Sequence, residues 1–429
     1  MIYHNAVKRI LSAPVECDRR SAERYSLLFR TLDRNLRGLS LIKIHGESGK
    51  SASATMLSHA LTAAGYRTGT VTTPFSHEMT ECIAVDGKPI SLDGFADCVS
   101  RVLAAVTAIS TSLRDLPFPL TDEERDGLAE EQKALYAYRV GAEAFSLSSD
   151  ELLLASAFLF FAESGCQVAV IEVPTGIRGQ AYQTPQGPIL SIVTSTESTD
   201  AAKAICTALD RRSGEVVSAL QEPEVARMIF DRCAAINCRL TFPIKKDFYL
   251  TELAAGRLGM FYRGVQYALN TGAEYQAVNL LTVIESLSAL KRCGLLTDPE
   301  SASFQPLYGS AGVPLQFSFV SLFPTILTDF ADSPARFAAL AKSLSLHDHP
   351  KNGAITLLAE ESDMGDDTFR TILAEHNLSA EAIVRSNASG ILKTVKPLVK
   401  ALEKDSILLI SGSRPFVYEA HRALIGLLP

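Results

Sequence analysis

Along most of the chain, short runs of apolar residues alternate with longer stretches in which apolar positions recur every three or four residues. Residues 41–45 predict a strand, followed by a glycine turn and a helix over about 51–64. A second strand is expected at 68–73, and Asp86-Gly87 between two β-prone runs in 81–91 predicts a hairpin. Helical periodicity covers 92–113 and 150–162, and strands are expected at 167–173 and 189–194. The helical period resumes from Asp200 and again across 278–291. Between Cys293 and Pro314 the chain turns rich in Gly, Ser and Pro, which marks a domain boundary to within about ten residues. Beyond it the alternation restarts, with strands expected at 324–328, 354–359, 382–385 and 406–410 and a closing helix at 415–428. Strands alternating with helices predict parallel sheets covered by helices. The expectation is an α/β protein with one unit over 1–300 and a smaller one over 301–429.

Composition narrows the classes. At roughly 150 residues per domain, 429 residues suit two large α/β units. A 47% hydrophobic and 21% charged composition supports a sizeable core and argues against disorder. The net charge of −7 comes from 41 basic and 48 acidic residues without like-charge blocks. That argues against a nucleic-acid or anionic-membrane partner. The longest apolar run, 152–162, is too short to span a bilayer, and no apolar signal core precedes Lys8 and Arg9. The eight cysteines form no Cys-x-x-Cys pair, so neither a zinc site nor a disulfide framework is indicated. A soluble cytoplasmic protein is expected. The cluster from Phe158 to Phe161 reads as helix core. His347 and His349 flank Asp348 before Pro350, and a solvated loop is expected there rather than a metal site.

The sharpest local signal is Gly46-Glu47-Ser48-Gly49-Lys50-Ser51, between an expected strand and an expected helix. Glycines let backbone N–H groups turn toward a phosphate, the helix N-terminus adds partial positive charge, and a lysine neutralises terminal phosphates. The serine hydroxyl can complete a Mg²⁺ shell. The spacing is two residues shorter than the common Walker A loop, and a plain surface turn is the competing reading.

Around this loop the chain resembles the folylpolyglutamate synthase/dihydrofolate synthase family, a branch of the Mur ligase superfamily. Where that family carries Gly-Thr-Asn-Gly-Lys-Gly-Ser, this chain keeps Gly46, Gly49 and Lys50. The family's Thr-Ser-Pro-His-Leu, Asn-Glu-Arg-Ile and Gly-x-Pro-Ile-Ser resemble Thr72 to Ser76, Thr80 to Ile83 and Gly87 to Ser91, without a gap. Its Glu-Val-Gly-Leu-Gly-Gly-Arg segment resembles Glu172 to Arg178, and its Ile-Thr-Ser-Ile-Gly-x-Asp-His segment resembles Val193 to Asp200. Its His-Gln-x-x-Asn resembles Tyr275 to Asn279, its Asp-Gly-Ala-His-Asn-Pro resembles Asp329 to Pro334, and its closing Leu-x-x-x-Gly-Ser resembles Leu408 to Ser413.

The resemblance implies a Mur-ligase-like fold: a P-loop ATPase-type parallel-sheet domain followed by a smaller Rossmann-like α/β domain. It implies ATP and Mg²⁺ as cofactors and small-molecule carboxylate and amine (amino acid) substrates, joined through an acyl phosphate. Lys50 and Glu172 are the implied catalytic residues. Gly46, Gly49, Lys50, Ser51, Asn279 and Asp329 are implied to bind nucleotide, and Ser51, Glu172 and Asp200 to bind metal. An ordinary strand-end carboxylate remains the alternative for Glu172, and a local capping role for Asn279.

Several family positions differ. Arg212 stands where the family has a lysine that becomes carbamylated, which a guanidinium cannot do at neutral pH. Gln316 replaces an arginine after Pro314, and Asp332 and Ser333 replace a His-Asn pair. An aspartate near a triphosphate repels it unless a cation intervenes. On the substrate side Phe75 and Cys82 replace His and Arg, Pro174 and Ile177 replace glycines, and Gln180 replaces Asp. The sequence therefore supports a divergent ATP-dependent ligase with an altered substrate, with a non-catalytic relative that binds a ligand or a protein partner as the alternative. A compensating cation near the triphosphate favours the first, and Arg178, Arg212 and Arg336 are the candidates.

Overall fold

The computed structural model describes residues 1–429 except 16–17, 35, 37, 74–77, 142–143, 211, 297–314, 348–353, 362–363 and 428–429. The expected boundary at 300/301 lies outside the described residues, as do Phe75, Asp348, His349 and Pro314.

Eight strands form the larger sheet: β1 (Ser40–His45), β2 (Thr68–Val71), β3 (Ile83–Val85), β4 (Lys88–Pro89), β5 (Val168–Glu172), β6 (Leu190–Val193), β7 (Glu215–Ser218) and β8 (Arg239–Thr241), in the order β4-β3-β2-β5-β1-β6-β7-β8. The six strands from β2 to β8 run parallel, and the Asp86-Gly87 hairpin adds β3 and β4 antiparallel at one edge. Strands covered on both faces read as continuous apolar runs, which is why β1, β5 and β6 stand out in the sequence. On one face pack the helices Tyr3–Leu11, Ser21–Thr31, Leu92–Asp115 and Ser149–Glu163, around Phe95, Phe158 and Phe161. Each of these fully buried rings contributes about 1.5–3 kcal/mol. The helices Lys50–Ala63 and Tyr275–Arg292 cover the other face.

Against that second layer lies a three-stranded antiparallel sheet of β9 (Phe248–Ala254), β10 (Arg257–Tyr262) and β11 (Val265–Leu269). The C-terminal sheet has the order β12-β13-β16-β14-β15, formed by β12 (Ser318–Leu322), β13 (Thr325–Asp329), β14 (Ile355–Glu360), β15 (Ala380–Ser386) and β16 (Ile407–Ser411). All but β12 are parallel, and helices cover both faces. No described helix is long and apolar enough to cross a membrane. None of the seven described cysteines is in a disulfide.

Register decides where the chemistry sits. In the larger sheet Ile44 pairs with Glu172 and His45 with Val193, so the chain leaves β1, β5 and β6 at one level. In the smaller sheet Asp329 pairs with Ser411. Ligands of open α/β sheets bind in the crevice beyond such carboxyl ends. Here the two crevices face each other.

Candidate active site

A cleft of about 570 Å³ opens between the carboxyl ends of the two sheets. Its floor is the loop after β1. Gly46 and Gly49 adopt φ +131° and +84°, and a Cβ at either would collide with Thr194 Oγ1 or Asn279 Oδ1 respectively. Only glycine therefore permits this backbone. The amides of Glu47 and Ser48 donate to the Ser195 carbonyl at 3.0 and 3.1 Å, which ties the loop to the segment after β6.

Lys50 opens the helix Lys50–Ala63 and folds back so that Nζ donates to the Gly46 carbonyl at 2.7 Å. Burial lowers its pKa, with the neighbouring Glu172 opposing that shift. Ser51 Oγ donates to Glu172 Oε2 at 2.7 Å, and the Thr73 amide donates to the same oxygen at 3.3 Å. Glu172 is 4% exposed. Asn279 packs on Gly49 and donates to Gln276, whose own amide donates to Gln316 at 3.1 Å. At the far wall the Tyr275 hydroxyl donates to Asp329 Oδ2 at 2.7 Å. Burial pushes the Asp329 carboxyl up from 3.8 to about 7.

The structure thus gathers Gly49, Lys50, Ser51, Glu172, Asn279 and Asp329 around one cavity, while Gly46 lies behind the loop and meets Lys50 through its carbonyl. It does not bring Asp200 to them. Asp200 lies in the first turn of the helix Thr199–Ala208, its carboxylate 89% exposed and paired with Lys203 at 2.9 Å. Arg212 is also elsewhere, because its guanidinium pairs with Asp210 and donates to the carbonyls of Thr184 and Pro185. Of the candidate compensating cations, Arg178 and Arg336 line the cleft. Arg178 forms a two-point pair with the buried Asp150, at 2.7 and 2.6 Å. Arg336 reaches the loop itself, donating to the Glu47 carbonyl at 2.9 Å and pairing with Asp332 at 2.7 Å. The Asp332 charge therefore has its own cation. His347 is not solvated as expected: it is half-buried, stacks on Phe317 at 5.5 Å and bonds to the Gly272 carbonyl.

Two side chains acquire meaning only in three dimensions. Glu47, a departure from the family pattern, accepts from the amides of Glu197 and Ser198 at 2.6 and 3.0 Å. It thereby places an anion at the N-terminus of the helix Thr199–Ala208, where the helix dipole favours one. Arg414, which directly follows Ser411-Gly412-Ser413, donates from Nη2 to Ser51 Oγ at 2.5 Å. Its guanidinium lies over the Phe330 ring at 5.5 Å, and burial lowers its pKa. The sequence signal for Arg414 was its place after the matched Gly-Ser segment.

The donor set at Ser51 and Glu172 suits one magnesium ion of the kind that takes phosphate oxygens and waters for its remaining ligands. Among the described residues no three His, Cys, Asp or Glu side chains gather to hold a metal by themselves.

A two-glycine loop at the carboxyl end of a parallel sheet, facing a second α/β sheet across a cleft, is an arrangement shared with solved folylpolyglutamate synthases. The chain is similar to members of the folylpolyglutamate synthase/dihydrofolate synthase family. It is 25% identical over 393 residues to the dihydrofolate synthase/folylpolyglutamate synthase of Mycobacterium tuberculosis, covering 85% of this chain and 75% of that one. The apo folylpolyglutamate synthase of L. casei superposes with a TM-score of 0.76 at 20% identity, covering 99% of this chain and all of that one. The M. tuberculosis folylpolyglutamate synthase complexed with ADP gives 0.72 at 18% identity over 99% and 98% of the two chains. A folylpolyglutamate synthase complex with AMPPCP and folate gives 0.73 at 20% identity over both full chains. No family model matches the chain.

Proposed function

We propose that this protein is an ATP-dependent carboxylate–amine ligase that forms ADP and works through an acyl phosphate. The observation that carries the reading is the contact of Ser51 Oγ with Glu172, beside Lys50 and the two-glycine turn, inside a cleft shared by both sheets. Relatives in complex with ADP, and with AMPPCP and folate, support nucleotide and folate-type ligands for the same fold.

In this reading the loop amides and Lys50 hold the terminal phosphates in line with the acid, and phosphoryl transfer depends mainly on that positioning and on charge. The acid's carboxylate attacks the γ-phosphorus, ADP leaves, and the amine nitrogen then displaces phosphate from the acyl carbon to give the amide. Ser51 and Glu172 would hold magnesium, which supplies charge neutralisation when bound. Arg336 and Arg414 approach the same phosphates from the C-terminal sheet. Ile10, Leu11, Met79 and Leu153 give the cleft apolar lining for the body of the acid, and Asp150 and Arg178 line it as well. Cys82 and Pro174 also line the cleft, at positions where the family pattern differs. The acid is therefore one altered from the family's own, and the amine is an amino acid such as glutamate. We place the larger unit over 1–300 and the smaller over 301–429, and assign the protein to the cytoplasm.

The test is release of ADP from ATP and Mg²⁺ over a panel of folate-type and other acids with glutamate or other amines. The expected result is release that requires both acid and amine and is lost in Lys50→Ala. The placement of Asp200 and Arg212 outside the cleft favours a second reading, a relative that binds nucleotide and a ligand or protein partner without turnover. It predicts nucleotide binding with no ADP release from any pair.

A further inference from the structure

Ser51 has one hydroxyl, and the protein already uses it twice. Oγ donates to Glu172 at 2.7 Å and accepts from Arg414 at 2.5 Å. The oxygen that a phosphate loop would offer to a divalent cation thus already holds a cation, and one that never loses its proton in a protein. Arg414 is the first residue of the helix Arg414–Ile425, and its guanidinium is held against Phe330. Arg336 comes from a different helix, Pro334–Ser345, and touches the loop through the Glu47 carbonyl at 2.9 Å and Ser48 Oγ at 3.4 Å. With Lys50 this makes three cationic heads around one glycine turn, two of them planar forks that match phosphate oxygens, Arg336 sharing its charge with Asp332 at 2.7 Å. The family position for a metal-binding side chain, Asp200, faces solvent.

We propose that Arg414, with Arg336, makes the phosphate loop a metal-independent anion site: two guanidinium groups carried by the C-terminal sheet hold a triphosphate at Lys50 and Ser51 without a divalent cation. The proposal rests on the nucleotide-site reading above and goes beyond it in naming protein cations that hold the phosphates before any magnesium joins Ser51 and Glu172. Both arginines come from elements of the C-terminal sheet, so anion binding also fastens that sheet to the loop.

Titration calorimetry with ATP and with inorganic tripolyphosphate, in EDTA and in Mg²⁺, separates the possibilities. Wild-type protein is expected to bind both anions in EDTA, with an affinity for ATP within about tenfold of that in Mg²⁺. A charge-assisted hydrogen bond is worth a factor of roughly 10 to 100 in affinity, so Arg414→Leu should weaken tripolyphosphate binding in EDTA by that much. Arg414→Lys, which keeps the charge and loses the fork, should weaken it several-fold, and it decides the matter should the leucine variant not fold. Wild-type binding that appears in Mg²⁺ and vanishes in EDTA would overturn the proposal and leave the nucleotide-site reading standing. Unchanged affinity in a folded Arg414 variant would overturn it as well. No binding of ATP by folded wild type under either condition would remove both.

Discussion

Asp329 offers a sharp test of the electrostatics at the far wall of the cleft. Its carboxyl is 3% exposed, at the end of β13, and burial raises its pKa from 3.8 to about 7. The Tyr275 hydroxyl, the amides of Phe330 and Phe317, and Arg336 all oppose that rise without cancelling it. Between those two pKa values the folded protein holds a proton that the unfolded chain has released. Stability from this group is therefore complete below about pH 4 and lost as pH rises through about 7. Each unit of difference between folded and unfolded pKa is worth about 1.36 kcal/mol, so the full loss is on the order of 4 kcal/mol. Asp329→Asn keeps an acceptor for Tyr275 and cannot ionise. Urea unfolding of both proteins from pH 4 to pH 8 should show the variant gaining on wild type by roughly 3–4 kcal/mol across that range. The difference across pH is the readout, so any fixed cost of the amide drops out. A wild-type-to-variant difference that stays flat from pH 4 to pH 8, or that falls, would refute the reasoning.

Other perturbations follow from the same structure. Lys43 sits within β1, 3% exposed, and burial lowers its pKa from 10.5 to about 8. Its folded form gives up the proton first, so stability should rise from about pH 8 to pH 10.5 in wild type and not in Lys43→Met. At pH 7 the methionine variant should be more stable by up to about 3 kcal/mol in urea unfolding. Gly46→Ala would place a methyl group against Thr194 at φ +131°. It should cost about 2–4 kcal/mol in the same assay and weaken ATP binding, while Gly38→Ala, with open space around it, should do neither. Arg178→Met removes the two-point partner of Asp150, whose side chain is 3% exposed, and should cost about 1.5–3 kcal/mol in urea unfolding, the scale of hydrogen bonds to a charged group.

The parts of this molecule that were legible in the sequence are those whose signals are local. β1, the two-glycine turn and the helix that begins at Lys50 are contiguous, so their pattern and chemistry can be read together. β5 and β6 were visible because buried strands show unbroken apolar runs such as Val168 to Ile171. The β9–β11 sheet was missed although its signal was present. Leu258, Met260 and Tyr262 alternate inward with Gly256 and Arg263-Gly264 at the turns, but the strands are half-exposed and their polar positions mask the run. The helix Tyr3–Leu11 went unread for a similar reason, since only Ala6 and Ile10 are buried. At the site, Arg414 lies 363 positions from Ser51, and no local pattern announces that contact. Glu47 likewise meets its partners, the amides of Glu197 and Ser198, only across 150 positions or more of chain. The family register carried Asp200 toward the metal position, yet the helix turns its carboxylate to solvent and to Lys203.

The central claim is that the cleft between the sheets is a working nucleotide site built on Lys50. Its most direct test is titration of the folded protein with ATP and Mg²⁺ by calorimetry, beside Lys50→Ala. Lys50 Nζ already rests on the Gly46 carbonyl at 2.7 Å, so the variant removes a charge without emptying the core. The expected result is saturable binding by wild type and at least tenfold weaker binding by the variant, the scale of one charge-assisted hydrogen bond. Equal affinity in the two proteins, or no binding by folded wild type, would contradict the account.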